Sequence, residues 1–113
     1  MEYQITSDNM EVTPSMEALA TEKFARIEHR AKDIPEGSKS ARIVLNTAPT
    51  EMFTVKAHVN IDGHTYFSDE TDYTLESAVI RTVDELLNMM DKEKDHSVRA
   101  ADPISVTEEM MKE

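Results

Sequence analysis

An Asp62-Gly63 pair standing between two alternating runs constrains this chain more than any other feature. In MFTVKAHVNI, residues 52–61, the side chains of Phe53, Val55, Ala57, Val59 and Ile61 share one face, and alternation resumes beyond the pair in HTYF. Asp-Gly tolerates the positive φ angles that a two-residue hairpin turn requires at both central positions. Two antiparallel strands are therefore expected, with Ile61 opposite His64. That register puts Val59 opposite Tyr66 on the core face, while His58 meets Phe67 and Lys56 meets Asp69 on the other.

A lone hairpin is marginal in water and needs more strands or a helix to cover it. KSARIVLNTA, residues 39–48, supplies a strand with Ala41, Ile43 and Leu45 on one face, and EYQITS, residues 2–7, another with Tyr3 and Ile5 together. Between them, Thr13 can cap a helix whose first position is Pro14, where the missing N–H is not needed. Met16, Ala20, Phe24, Ile27 and Ala31 then recur at three- and four-residue steps, which predicts a helix over 14–32 ended by Pro35 and Gly37. After the hairpin, Leu75, Val79, Ile80, Val83, Leu86, Leu87 and Met90 make the apolar face of a second helix, with Thr71 or Asp72 as its cap.

The order is thus beta-alpha-beta-beta-beta-alpha. A helix between strands 1 and 2 makes them parallel through a right-handed crossover, and strands 2 to 4 form a meander. The expected class is α+β, a two-layer sandwich with both helices on one face of a four-stranded sheet. Arg42, Val44, Thr54, Lys56, His58 and Thr65 fall on the other face. One domain over 1–95 is expected, followed at 96–113 by an acidic, disordered tail that contains Pro103.

At 113 residues there is room for one core. Without cysteine there is no disulfide, thiolate metal site or cysteine nucleophile, which suits a reducing, cytoplasmic setting. The N-terminus has no basic segment followed by an apolar one, and no apolar run nears the roughly 20 residues of a bilayer span, so no membrane association is expected. Gly37 and Gly63 are too few and too far apart for a phosphate-cradling loop. His29, His58, His64 and His96 lack metal-ligand spacing, since His58 and His64 fall on opposite faces of the hairpin. No serine sits on a strand-to-helix elbow, and the neighbouring carboxylates Asp84/Glu85 and Glu108/Glu109 have nothing to desolvate them. No catalytic site, metal or cofactor is expected.

A net charge of -11 repels phosphate backbones on average, so nucleic-acid binding would need a local basic patch. One such ridge exists. Lys23, Arg26 and Arg30 lie three and four residues apart on helix 1, with His29 and Lys32 nearby. It reads either as a solvated face offset by Glu22 and Glu28 or as a surface for RNA.

The opening MEYQITSDNMEVTPSMEALATEKFARIE, with Ile5-Thr6, Val12-Thr13-Pro14 and Lys23-Phe24-Ala25-Arg26-Ile27-Glu28, together with DYTLESAV and the order of elements, resembles the ribosome-associated inhibitor and hibernation-promoting factor family, short form, over about residues 1–95. The resemblance implies a domain similar in architecture to double-stranded RNA-binding domains. It implies a non-enzymatic stress protein that binds the small ribosomal subunit and its rRNA, fills the tRNA/mRNA channel and inhibits translation.

On that likeness Lys23, Arg26 and His29 stand at RNA-binding positions of helix 1; Arg30 extends the ridge, Arg81, Lys92 and Lys94 on helix 2 are partial compensation, and Lys92, Lys94 and Arg99 are weaker support. Helix 2 departs from the pattern, because Thr82, Glu85 and Met89 hold positions that are customarily cationic. The alternative expectation is a diverged member of the same fold that has lost rRNA affinity and binds a basic protein partner through its acidic helix 2, with Leu86 and Met89 partly outward.

Overall fold

A computed structural model describes the backbone of residues 1–100 and the side chains of residues 1–92. Four strands, β1 (Glu2–Thr6), β2 (Lys39–Ala48), β3 (Met52–Ile61) and β4 (His64–Asp72), form one sheet in the order β1-β2-β3-β4. Helix α1 (Pro14–Arg30) connects β1 to β2 and helix α2 (Leu75–Ala100) follows β4. β1 runs parallel to β2, and the other pairings are antiparallel.

The hairpin forms as its turn chemistry demands. Asp62 and Gly63 take φ angles of 53° and 86°, and Ile61 pairs with His64, Val59 with Tyr66, His58 with Phe67 and Lys56 with Asp69. Both positive angles are those of the primed turn whose twist matches its strands. The β2–β3 connection is less easily accounted for. Thr50 and Glu51 stand at φ 63° and 61°, a region that costs a residue with a Cβ about 1 kcal/mol or more.

Thr13 caps α1, accepting a hydrogen bond from the Met16 amide at 3.2 Å, and Pro14 occupies the first turn. The helix ends at Arg30 with Ala31 as its cap, two residues short of the expected end, and a short 3-10 turn over Glu36–Ser38 leads into β2. Lys39 holds that junction together. Its side chain is 4% exposed, and Nζ donates to the Ala31 carbonyl at 3.2 Å and lies 3.0 Å from Glu36. A cation among the last carbonyls of a helix satisfies acceptors left without partners and opposes the helix dipole.

α2 begins later than the sequence suggested. Thr74 receives the Ser77 amide at 3.0 Å and is the cap, because β4 stays paired with β3 through Asp72 opposite Phe53 and leaves Thr71 and Asp72 in the sheet. The helical backbone continues to Ala100, past the boundary drawn at 95, and the tail expected at 96–113 lies from residue 101 onward outside the described residues.

Both helices cover the same face of the sheet. Ala20, Phe24, Ile27 and Ala31 of α1 and its cap, and Ala78, Val79, Val83, Leu86 and Met90 of α2, pack on Ala41, Ile43, Leu45, Val55, Ala57, Val59 and Ile61. Burial of Phe24, Ile27, Ile43, Leu45, Val55, Val59 and Leu86 is complete, and each such side chain stabilises by about 1.5–3 kcal/mol relative to exposure. Nothing among the described elements covers the opposite face. Among the described residues no helix is long and apolar enough to cross a membrane.

Candidate nucleic-acid interface

The loop before α1 fixes how that helix leaves the sheet. Asn46, at the end of β2, accepts from the Asp8 amide at 2.9 Å and from Ser7 Oγ at 3.2 Å, while Asn9 exchanges two bonds with the Thr47 backbone at 2.9 and 3.0 Å. Asn9 thereby substitutes for one more rung of the β1–β2 ladder. α1 is held with its apolar stripe down and its polar flank turned toward α2.

That flank carries the basic ridge, and the ridge meets acids. Lys23 lies 3.5 Å from Glu76, Arg26 donates from Nη1 to Asp84 at 2.8 Å, and Arg30 donates to one Asp91 oxygen from Nε at 2.9 Å and Nη2 at 2.6 Å. The partners advance together along the two helices, so α1 and α2 run parallel. Every cation of the Lys23–Arg26–Arg30 series is matched by a carboxylate of α2.

The offset expected from Glu22 and Glu28 is therefore not what neutralises the ridge. Glu28 instead receives the Tyr3 hydroxyl, and burial, followed by that hydrogen bond and the charge of Glu28, pushes the Tyr3 phenol well above its usual range. Between the helices runs an open groove of about 720 Å³, rimmed by Arg26, Arg30, Asp84 and Asp91 and floored in part by Leu87. His29 lines it and is exposed.

These pairs are accessible. Arg26 and Asp84 are 56% and 53% exposed, and exposed pairs contribute about 0–1 kcal/mol each because water and salt screen them. Their weight in function exceeds their weight in stability. A phosphate approaching α1 meets a surface already neutralised, with carboxylates standing where it would have to lie.

Helix 2 corrects two expectations. Thr82 is fully buried, with Oγ1 donating to the Ala78 carbonyl at 2.8 Å and lying 3.5 Å from the Val55 carbonyl. It lies in the seam between α2 and the sheet, so it is not a position from which a cation could reach RNA. Leu86 is likewise completely buried rather than partly outward, while Glu85 and Met89 are half-buried. The threonine is admitted to the core because its hydroxyl bonds the carbonyl one turn back.

The remaining candidates separate from the ridge. Arg81 lies over β4, 3.3 Å from Glu70 and 3.8 Å from Asp72, and does not join α1. Lys92 is exposed and has no ion pair among the described residues; Lys94 and Arg99 lie outside those whose side chains are described. No group of three or more His, Asp or Glu side chains among the described residues could hold a metal ion.

The sequence reading passed over the unpaired cations on the open sheet face. Arg42 and Lys56 are exposed and have no ion pair among the described residues. Their alternation with Ile43 and Val55 gave their direction, and the pairings show which residues flank them.

A family model described as Sigma 54 modulation protein / S30EA ribosomal protein matches residues 3–97. Among solved structures, the crystal structure of Thermus thermophilus Protein Y N-terminal domain is similar at a TM-score of 0.70 and 25% identity, over 81% of this chain and 98% of that one. The structure of a ribosomal subunit interface protein from Coxiella burnetii is similar in fold at a TM-score of 0.68 and 18% identity, over 84% of this chain and 99% of that one. No curated protein matches the chain.

Proposed function

The chain belongs to the Sigma 54 modulation protein / S30EA ribosomal protein family, which is ribosome-associated and non-catalytic, and from that premise we propose that it is a cytoplasmic hibernation factor of the small subunit. In this reading it binds the small subunit's rRNA and inhibits translation by filling the tRNA/mRNA channel. The observation that carries it is the family match across residues 3–97, which takes in all but the first residue of the sheet, all of α1 and most of α2. The mechanism is steric: a rigid two-layer domain occupies a site and no bond is made or broken.

Contact with rRNA would run along the α1–α2 edge, with Lys23, Arg26, His29 and Arg30 facing phosphate. For those cations to be used, Glu76, Asp84 and Asp91 must release them. Ribosome cosedimentation over a salt series, with wild type beside Lys23→Glu/Arg26→Glu, tests this. Wild type should pellet with the small subunit at low salt and the variant should not; a wild type that stays in the supernatant at low salt removes the reading.

The matched ion pairs favour a second reading, in which the same fold has lost rRNA affinity and α2 receives a basic protein. Glu76, Asp84 and Asp91 are each more than half exposed while paired, so they keep oxygens free for a further cation. A basic protein recovered with the tagged chain, and lost with Asp84→Asn/Asp91→Asn, would select this reading.

A further inference from the structure

The face of the sheet turned away from the helices is built unlike the rest of the surface. Its central cross-strand row is Gln4, Arg42, His58 and Phe67, one residue from each strand in register. Lys56 sits in the next row on β3, diagonal to Arg42. Phe67 is 43% exposed, one of only two large hydrophobic side chains so exposed among the described residues, and the His58 ring packs against it at 4.6 Å with a 44° tilt.

Arg42, His58 and the neighbouring polar residues line a shallow groove of about 610 Å³. The acids of this face lie at its margins, Glu2 on β1 and Asp69 on β4, the two edge strands. Asp69 stands opposite Lys56 without an ion pair among the described residues.

We propose that this open sheet face is a binding site for single-stranded RNA, with a base stacked on Phe67 and His58 and the adjoining phosphates on Arg42 and Lys56. Single-stranded RNA is bound by flat sheet surfaces whose aromatic rings take unstacked bases while cations track the backbone. A row of ring, ring, guanidinium and amide across four strands supplies those parts in order. Gln4 offers both a donor and an acceptor to a base edge.

For single-stranded RNA away from the ribosome, charge favours the sheet over the helix edge. In a chain of net charge -11, the cations of α1 are matched by carboxylates, whereas Arg42 and Lys56 on the two inner strands are not. Double-stranded RNA does not fit, because its bases are stacked and paired and leave no free face for Phe67. The site is separate from the α1–α2 edge and stands or falls apart from the ribosome reading.

The test uses the whole purified protein and a fluorescently labelled eight-nucleotide oligouridylate at low salt, read by anisotropy, with ribosomes absent. Wild type should bind, and amide shifts on isotope-labelled protein should move in β2, β3 and β4 and not in α1. Phe67→Ala should weaken binding by about ten-fold, as expected for one lost stacked base. Arg42→Gln/Lys56→Gln should reduce the salt slope by about 1.4, two phosphates at about 0.7 each.

No binding at low salt overturns the proposal, as does a shift pattern confined to the helices. Equal or tighter binding of an oligoglutamate peptide would overturn it in favour of an acidic protein partner. Since Phe67 is on the surface, its variant should fold; the wild-type shift map decides the matter independently if it does not.

Discussion

The α1–α2 edge and the open sheet face each carry cations, yet only one of them presents unpaired charge. On the edge, Lys23, Arg26 and Arg30 find Glu76, Asp84 and Asp91 at 2.6–3.5 Å. On the sheet, Arg42 and Lys56 project from inner strands whose flanking positions are His58, Val44, Gln4 and Asp69, and only the last is an acid. A count of basic residues along a helix therefore misjudges which surface can attract a polyanion. What decides is the element that packs alongside.

The largest effect tests where that edge stops. Thr82 belongs to the core, so Thr82→Lys places an ammonium among Val55, Ala78 and their neighbours and should cost about 3–5 kcal/mol, enough to unfold much of the population. Urea denaturation reads it directly. Glu85→Lys, half-buried on the same helix, should cost under about 1 kcal/mol. If Thr82→Lys were as stable as Glu85→Lys, α2 would be rotated from the position described, and the distinction between seam and edge would collapse.

Next in size is the release of the ridge. Asp84→Asn/Asp91→Asn leaves Arg26 and Arg30 without their carboxylates and removes two charges that repel phosphate. Affinity for the small subunit should rise by about ten-fold or more at low salt, and the salt slope should steepen by roughly 0.7–0.9 for each arginine that engages a phosphate. Cosedimentation checks both. Folding stability should change by less than about 1 kcal/mol per pair, since the arginines and aspartates are solvent-accessible. Unchanged binding would mean that this edge does not meet rRNA, and would shift weight to a protein partner.

The fold was largely legible because its signals are periodic and local. Asp62-Gly63 determined the hairpin register, and the spacing of Ala20, Phe24 and Ile27 told which side of α1 faces the sheet. Less legible was anything that depends on a partner far along the chain. Arg26 and Asp84 are 58 residues apart and Arg30 and Asp91 are 61, so no spacing rule pairs them; only parallel packing of the helices brings them together.

Thr82 is a different kind of miss, since it falls between Val79 and Leu86 at three- and four-residue steps and its burial was there to be read. Residue type masked it, because a hydroxyl reads as surface until its bond to the Ala78 carbonyl is seen. The helix start was missed for a simpler reason: Thr74 caps as well as the expected Thr71 or Asp72, and strand pairing, which is non-local, keeps those two in the sheet.

The smallest expected effect concerns the acid that does not join the ridge. Glu28 sits on α1 but receives the Tyr3 hydroxyl from β1, on the side away from Glu76, Asp84 and Asp91. Tyr3→Phe removes that donor and should cost about 1 kcal/mol, while the ring keeps its edge-on contact with Phe24 at 6.5 Å. The pH dependence identifies the interaction. Burial and Glu28 raise the phenol's pKa in the folded state above its value near 10 in the unfolded chain, so the folded protein holds this proton more tightly. The Tyr3 contribution is then fully present below about pH 10 and is lost as pH rises from there toward the folded value. Thermal melts from pH 8 to 11 should show wild type losing stability more steeply than Tyr3→Phe at the alkaline end. Parallel curves would mean that the Tyr3 hydroxyl does not hold Glu28 in solution, and that the tie between β1 and α1 rests on the ring contact with Phe24 alone.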